Sequence, residues 1–315
     1  MDGVLAIDKP AGLTSHEVVL QVRRFLKIKK IGHTGTLDPY ATGVLVLCIG
    51  KATRIVEFLV ESTKEYRVTM KLGVTTDTQD LTGRVLCEKP VMVSEEELRE
   101  QIQSFVGEIN QIPPMFSAIK IKGQRLYELA RQGQEIERPP RKVIIYGIQI
   151  LEVRFPFVSF QVICSQGTYI RTLVSDLGER LKCGACVWEL RRTRVGCFRL
   201  DEAIPFETLR SLSPELIAER YLISIDKALA TLPALYFDEK TSRLLARGTF
   251  VKLDRSKGFL NLLPSLSLQP QQDSYPSQGY YRGYEARGNF FAVVKLIPNS
   301  EGDWMVQPVK VIYPL

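Results

Sequence analysis

The sequence predicts an α+β fold: a mixed, mainly antiparallel sheet with intervening helices, followed by a small β-rich module. Three observations point there. The stretch "KEYRVTMKLG" alternates cleanly, with Tyr66, Val68, Met70 and Leu72 on one face and Arg67, Thr69 and Lys71 on the other. That is the period of a half-buried strand. The stretch "TSHEVVLQVRRFLK" sets Val18, Val22 and Phe25 on one helical face behind a Thr14/Glu17 capping box. Strands and helices then follow one another without the regular alternation that a parallel βαβ repeat requires.

Taken in order, "GVLAIDKP" reads as a short strand stopped by Pro10. After the helix from Thr14, the glycine-rich loop "GHTGTLDPYATG" leads into "GVLVLCIG", an almost wholly apolar strand suited to the middle of a sheet. "ATRIVEFLVES" is expected to be a helix, and "SEEELREQIQSFVG" another, with a Ser94/Glu97 capping box. From Pro113 to Lys142 the character changes. Prolines bracket a stretch carrying Lys120, Lys122, Arg125, Arg131, Arg138, Arg141 and Lys142, which reads as a basic excursion from the main body. Strands resume in "VIIYGIQILEVRF" and "FVSFQVICSQG". A loop then enters the helix of "GTYIRTLVSDLGERLKCG", and the arginine-dense "LRRTRVGCFRL" follows. A boundary is expected near residue 230. Beyond it, three short strand-like runs are separated by turns, and a Pro/Ser/Gln-rich stretch at 264–279 interrupts them as a loop.

The chain has 315 residues and a net charge of +7, enough material for two domains and a balance that favours a polyanionic partner. No apolar run approaches a membrane span, and "MDGVLAIDKP" lacks the features of a signal peptide, so a cytoplasmic protein with no membrane association is expected. Six cysteines lie mostly in apolar surroundings and read as reduced, buried thiols. "CGAC" (Cys183 to Cys186) has no second pair, and His16 and His33 are the only histidines, so no metal site is expected. The sequence has no P-loop, no GxSxG and no HExxH, which leaves carboxylates, aromatics and arginines to carry any chemistry.

Asp38, between Leu37 and Pro39, reads two ways. It is an Asp-Pro turn initiator, or it is a short carboxylate held rigidly on a loop at the edge of a buried strand, able to act as nucleophile or base. Arg171 enters a helix at its positive end, a poor place for a cation unless an anion lies beside it. Tyr66 is a core residue of its strand or an aromatic plate on which a base stacks. His33 is a capped loop residue or a nucleic-acid contact. Arg191 and Arg192 suit phosphates and suit solvent equally.

Taken together, these stretches resemble the TruB family of pseudouridine synthases, of the bacterial uridine-55 type. "DKPAGLTSHEVV" resembles the family's opening KPxGxTS segment, and "GHTGTLDPYATGVL" its GHxGTLDPxAxGVL core. "KEYRVTMKLGVTTDTQDLTG", "GTYIRTLVSDLG" and "LRRTRVGCF" resemble the later motifs in the same order. The resemblance implies a pseudouridine synthase catalytic domain over 1–230, with an RNA-clasping insertion at 114–142, and a PUA-like β-barrel over 231–315. It implies isomerisation of uridine 55 in the tRNA T-loop by base flipping, with no cofactor and no metal. The partner would be the T-arm stem-loop, with no obligatory protein partner, and the enzyme would act as a monomer. It assigns Asp38 as the catalytic aspartate, Tyr66 as the tyrosine stacked on the base and Arg171 as the partner of the carboxylate. Tyr169 lies in the same motif as Arg171, His33 beside the extruded nucleotide, and Leu190 in the pocket wall. Lys9 and Pro10 support the active-site loop. Lys9 also joins Arg191, Arg192, Lys120, Lys122, Arg125, Arg141 and Lys142 among the residues expected to contact substrate or RNA.

Overall fold

A computed structural model describes residues 1–60, 62–121, 123–252, 279–298 and 304–315. Lys122 and, but for Gly279, the Pro/Ser/Gln-rich stretch at 264–279 lie outside the described residues. The chain divides into two compact units. One comprises Leu5–Leu47 and Val60–Tyr221, and the other Met1–Val4, Cys48–Leu59 and Leu222–Leu315. A linear division at 230 would leave the short segments Met1–Val4 and Cys48–Leu59 with the first unit. Contacts tie them instead to the end of the chain: Val4 bonds Ile223, Arg54 donates to the Val311 carbonyl and Lys310 pairs with Glu57.

A mixed sheet organises the first unit. Its strands run in the order Ile204–Pro205, Gly3–Lys9, Thr42–Ile49, Ala185–Val195, Lys64–Leu72, Phe157–Cys164, Arg141–Arg154 and Gly107–Gln111. The block from Ala185–Val195 to Gly107–Gln111 is antiparallel throughout. The pairings of Ala185–Val195 with Thr42–Ile49 and of Gly3–Lys9 with Ile204–Pro205 are parallel. Alternation works as the sequence indicates. Tyr66, Val68, Met70 and Leu72 are buried, and they pack with Phe160, Val162, Leu173, Val174 and Leu177 into one core. Each such apolar side chain contributes about 1.5–3 kcal/mol on burial.

Thr14 caps the helix Ser15–Leu26 in a complete capping box, while Ser15, Val18, Val19, Val22 and Leu26 are its buried residues. Ser94 caps Glu95–Gln103 through the Glu97 N–H. The helix expected over "ATRIVEFLVES" is a 3-10 turn over Gly50–Ile55 followed by a short α-helix, Val56–Val60. At Gly43 the backbone has φ +103° and passes so close to Ala185–Val195 that a Cβ would lie 2.1 Å from the Arg192 carbonyl oxygen. Only glycine meets both demands.

The basic excursion contains the hairpin Lys120–Ile121/Gln124–Arg125 and the helix Leu126–Arg131. Arg141 and Lys142 do not belong to it. They open the long strand Arg141–Arg154 and pair with Gln111 and Asn110.

In the second unit, five described strands form a sheet in the order Ala234–Tyr236, Tyr280–Tyr284, Phe290–Pro298, Trp304–Val311 and Val251–Lys252. Leu235, Phe237, Leu245, Phe291, Val294 and Val306 fill its core. This curled half-barrel is PUA-like.

Candidate active site

The Asp-Pro turn is real. The Ala41 N–H donates to the Asp38 carbonyl at 3.1 Å, closing a four-residue turn. Its surroundings hold it rigid. The Leu37 N–H donates to Ser15 Oγ at 2.8 Å, and that hydroxyl reaches back to the Leu37 carbonyl at 3.2 Å. Lys9 is fully buried, and its ammonium donates to the carbonyls of Pro10 (2.8 Å), Leu13 (2.6 Å) and Pro39 (3.1 Å). Burial pulls the pKa of Lys9 down to about 8, against the attraction of Asp38. All three donors are spent, two on the carbonyls of Pro10 and Leu13 and one on the carbonyl next to Asp38, so Lys9 ties the two loops together behind Asp38 and is not an RNA contact.

The turn presents the Asp38 side chain, 30% exposed, to Arg171, which is 5% exposed at the start of the helix Ile170–Arg180. Arg171 Nε lies 3.0 Å from Asp38 Oδ2, and Nη2 lies 3.1 Å from Oδ1. The rest of the guanidinium is bonded too: Nη2 to the Phe116 carbonyl at 2.8 Å and Nη1 to the Thr78 carbonyl at 3.1 Å. Burial pushes the Asp38 pKa up, Arg171 opposes that, and Asp80 adds to it.

Asp80 was not singled out from sequence. It is buried, and its Oδ1 accepts from Thr78 Oγ1, the Thr82 N–H and Thr82 Oγ1, while Oδ2 faces Arg171 Nη1 at 3.7 Å. The signal was present in "TDTQDLTG", where threonines flank an aspartate in a tight loop. A threonine-rich loop has the look of surface, however, and nothing local shows that it folds beneath Arg171. Ser15 was missed for the same reason, because its partner is 22 residues away.

Tyr66 is buried, 7% exposed, in the cluster that also holds Leu37, Ala41 and Leu190. It lies opposite Arg192 in the strand register. His33 has its Nδ1 buried without a partner among the described residues, and burial lowers its pKa, so the imidazole is held neutral. Tyr169 is the N-cap residue of the Arg171 helix. Its N–H donates to Gln111 Oε1 at 2.9 Å, and Gln111 Nε2 donates to its carbonyl at 3.2 Å.

Arg191 and Arg192 point to opposite faces of their strand. Arg192 is 2% exposed and donates to the carbonyls of Val44 (2.8 Å), Gly35 (3.0 Å) and Thr36 (3.4 Å). It is a strut under the Asp38 loop, which corrects its expected role at phosphates. Arg191 is part-exposed and bound to Asp8 at 2.7 Å and Thr42 at 3.0 Å. Lys120, Arg125, Arg141 and Lys142 are exposed, and Lys142 pairs with Glu108 at 2.7 Å. Cys183 and Cys186 are both buried and unbridged.

A buried arginine locked on one turn carboxylate, with a second buried carboxylate, Asp80, facing it at 3.7 Å, adjoins an apolar cluster that reaches the turn through Leu37 and holds Tyr66 and Leu190. The model of the TruB family pseudouridylate synthase N-terminal domain matches residues 23–170, and that of the tRNA pseudouridylate synthase B C-terminal domain matches 171–230. The chain belongs to the TruB family. It is similar to the tRNA pseudouridine synthase B of Clostridium acetobutylicum, 46% identical over 94% of this chain and 100% of that protein. The protein of the same name from Alkaliphilus oremlandii is 55% identical over 67% of this chain and 71% of its own length. Among solved structures, a Cbf5-Nop10-Gar1 complex matches with a TM-score of 0.72 and 27% identity, over 99% of this chain and 85% of that one. As a TruB member the chain is a pseudouridine synthase, an isomerase.

Proposed function

We propose that this TruB protein converts uridine 55 in the tRNA T-loop to pseudouridine, with Asp38 as the catalytic group. Relatives from several clostridia bear the name tRNA pseudouridine synthase B. The observation that carries the reading is the two-point hold of Arg171 on Asp38, whose chain neighbours Leu37 and Ile170 belong to the buried cluster that contains Tyr66 and Leu190.

The reaction breaks N1–C1′, turns the uracil and forms C5–C1′. The C5 proton is lost and N1 gains one, so atoms and electrons balance without an oxidant. The target base has to leave its stack to be reached. Tyr66 stacks on the extruded uracil and Leu190 walls the pocket. His33, held neutral, fills space beside the nucleotide and adds no charge. Asp38 stands at C1′ as the ionised carboxylate, and Arg171 fixes its orientation and opposes its protonation. The insertion and the PUA-like unit contact the tRNA backbone, and the enzyme works on a T-arm stem-loop as a monomer, without guide RNA or protein partner.

Two measurements test this. Purified protein incubated with unmodified tRNA should place one pseudouridine in the T-loop, seen by modification mapping. Asp38→Asn should abolish tritium release from 5-tritiated uridine while tRNA affinity stays within about an order of magnitude. Near-normal turnover in Asp38→Asn would sink the assignment.

A further inference from the structure

Tyr40 follows Asp38 by two residues in the same turn, and its hydroxyl is buried without a hydrogen-bond partner among the described residues. A buried, unpaired donor is costly, and native proteins keep few of them without a reason. Packing alone does not call for the oxygen, because the ring is packed against the apolar cluster that holds Leu37, Tyr66 and Leu190, where phenylalanine would serve.

Tyr40 is two residues from Asp38, and Arg171, bound to Asp38, also approaches Asp80 at 3.7 Å, so Asp38, Arg171 and Asp80, with the Cys186 thiol, are the charged and titratable groups whose field reaches the hydroxyl. The Cys186 thiol is kept protonated by burial, so it brings no charge. Burial and the two carboxylates raise the Tyr40 pKa far above the usual phenol range, so the hydroxyl keeps its proton and has it to donate. Arg171 is committed through all three nitrogens to Asp38, Thr78 and Phe116. Asp80 Oδ1 accepts three hydrogen bonds, yet among the described residues Oδ2 has only the long 3.7 Å approach of Arg171. The site therefore holds an unused donor and an underused acceptor in one desolvated region.

We propose that Tyr40 is a positioning residue for the isomerisation: its hydroxyl engages the Asp80 carboxylate in the working enzyme and so keeps Arg171 on Asp38. Asp38 and Asp80 compete for one guanidinium. A donor on Asp80 weakens its pull, and Arg171 stays bound to the carboxylate that reacts. The role rests on Asp38 being the catalytic group.

The test is Tyr40→Phe, assayed on a tRNA T-arm beside wild type and Asp38→Asn. The expected result is kcat lowered by about tenfold, as for loss of one hydrogen bond to a charged group, with KM within about twofold. The acid limb of kcat should move to higher pH, because Arg171 drawn towards Asp80 opposes the protonation of Asp38 less. The melting temperature should hold or rise, because an unpaired hydroxyl has been removed. In an Asp80→Asn background the Tyr40→Phe effect on kcat should largely vanish. Wild-type kcat and an unshifted acid limb in Tyr40→Phe would overturn the proposal, as would a fall in melting temperature large enough to explain the activity loss. An active wild type with unaffected Tyr40→Phe removes this role alone. Near-normal turnover in Asp38→Asn removes the catalytic assignment, and this role with it.

Discussion

Arg171 holds Asp38 through two separate nitrogens, Nε on Oδ2 at 3.0 Å and Nη2 on Oδ1 at 3.1 Å, across 133 residues of sequence. The geometry matters because the same guanidinium also donates to the Thr78 and Phe116 carbonyls. Phe116 lies at the root of the basic insertion, so the arginine ties three separate parts of the chain to one carboxylate.

Arg171→Lys keeps the charge and loses the fork. An ammonium cannot satisfy both carboxylate oxygens and two carbonyls in this arrangement. Turnover should fall by about a hundredfold or more, since small displacements of a reacting group cost that much. tRNA affinity should stay within a fewfold. Turnover near wild type would show that orientation by the fork is not needed.

Much of this was legible in the sequence, and the rest was not, for physical reasons. Alternation in "KEYRVTMKLG" and the Thr14 capping box describe local structure, and both are present as read. Arg191 and Arg192 show the limit. As a dipeptide they read as a phosphate-binding pair, but a strand sends neighbours to opposite faces. One becomes a buried strut and the other an ion pair with Asp8. Lys9 is a loop support only through the family resemblance, and an expected RNA contact, until Pro39 is folded onto it. Asp80 and Tyr40 gain their meaning from residues that sequence spacing cannot place beside them.

The strut role of Arg192 separates cleanly from a phosphate-binding role. Arg192→Met should leave the carbonyls of Val44, Gly35 and Thr36 unpaired in a dry region. Each buried polar group without a partner costs about 1–3 kcal/mol. A loss of about 3 kcal/mol, read as a fall in melting temperature of roughly 5–10 °C, is expected. Unchanged melting with weakened, less salt-sensitive RNA binding would restore the phosphate role.

The pH dependence follows from Asp38. Burial raises its pKa above the ordinary 3.8, with Asp80 adding to the rise and Arg171 opposing it. The reaction uses the ionised form, so activity is full above the folded-state pKa and is lost as pH falls through it. The acid limb of kcat should therefore lie above the value of an ordinary aspartate. A limb at or below 3.8 would show that the Arg171 pairing outweighs desolvation.

Tyr66 can be weighed by two substitutions. Tyr66→Phe keeps the ring and should retain turnover within a fewfold. Tyr66→Leu keeps apolar bulk and loses the π-face, and stacking on a base is worth about 1–3 kcal/mol. Turnover on a T-arm should fall by about tenfold or more. If Leu were the milder of the two, the ring would be a core residue with no role on the uracil.

The exposed cations of the insertion and the adjoining strand should be read by salt slope and not by affinity alone. Each phosphate contact that is lost lowers the slope of log K against log salt by about 1. Lys120→Ala, Arg125→Ala and Arg141→Ala should each weaken tRNA binding and flatten the slope. Lys142→Ala should do so less, because Lys142 already pairs with Glu108 at 2.7 Å and part of its charge is answered within the protein. Weaker binding with an unchanged slope would mean that these side chains shape the insertion and do not meet phosphates. An Arg141→Ala slope equal to wild type would move the RNA path away from the strand Arg141–Arg154 and onto the hairpin at Lys120 and Arg125.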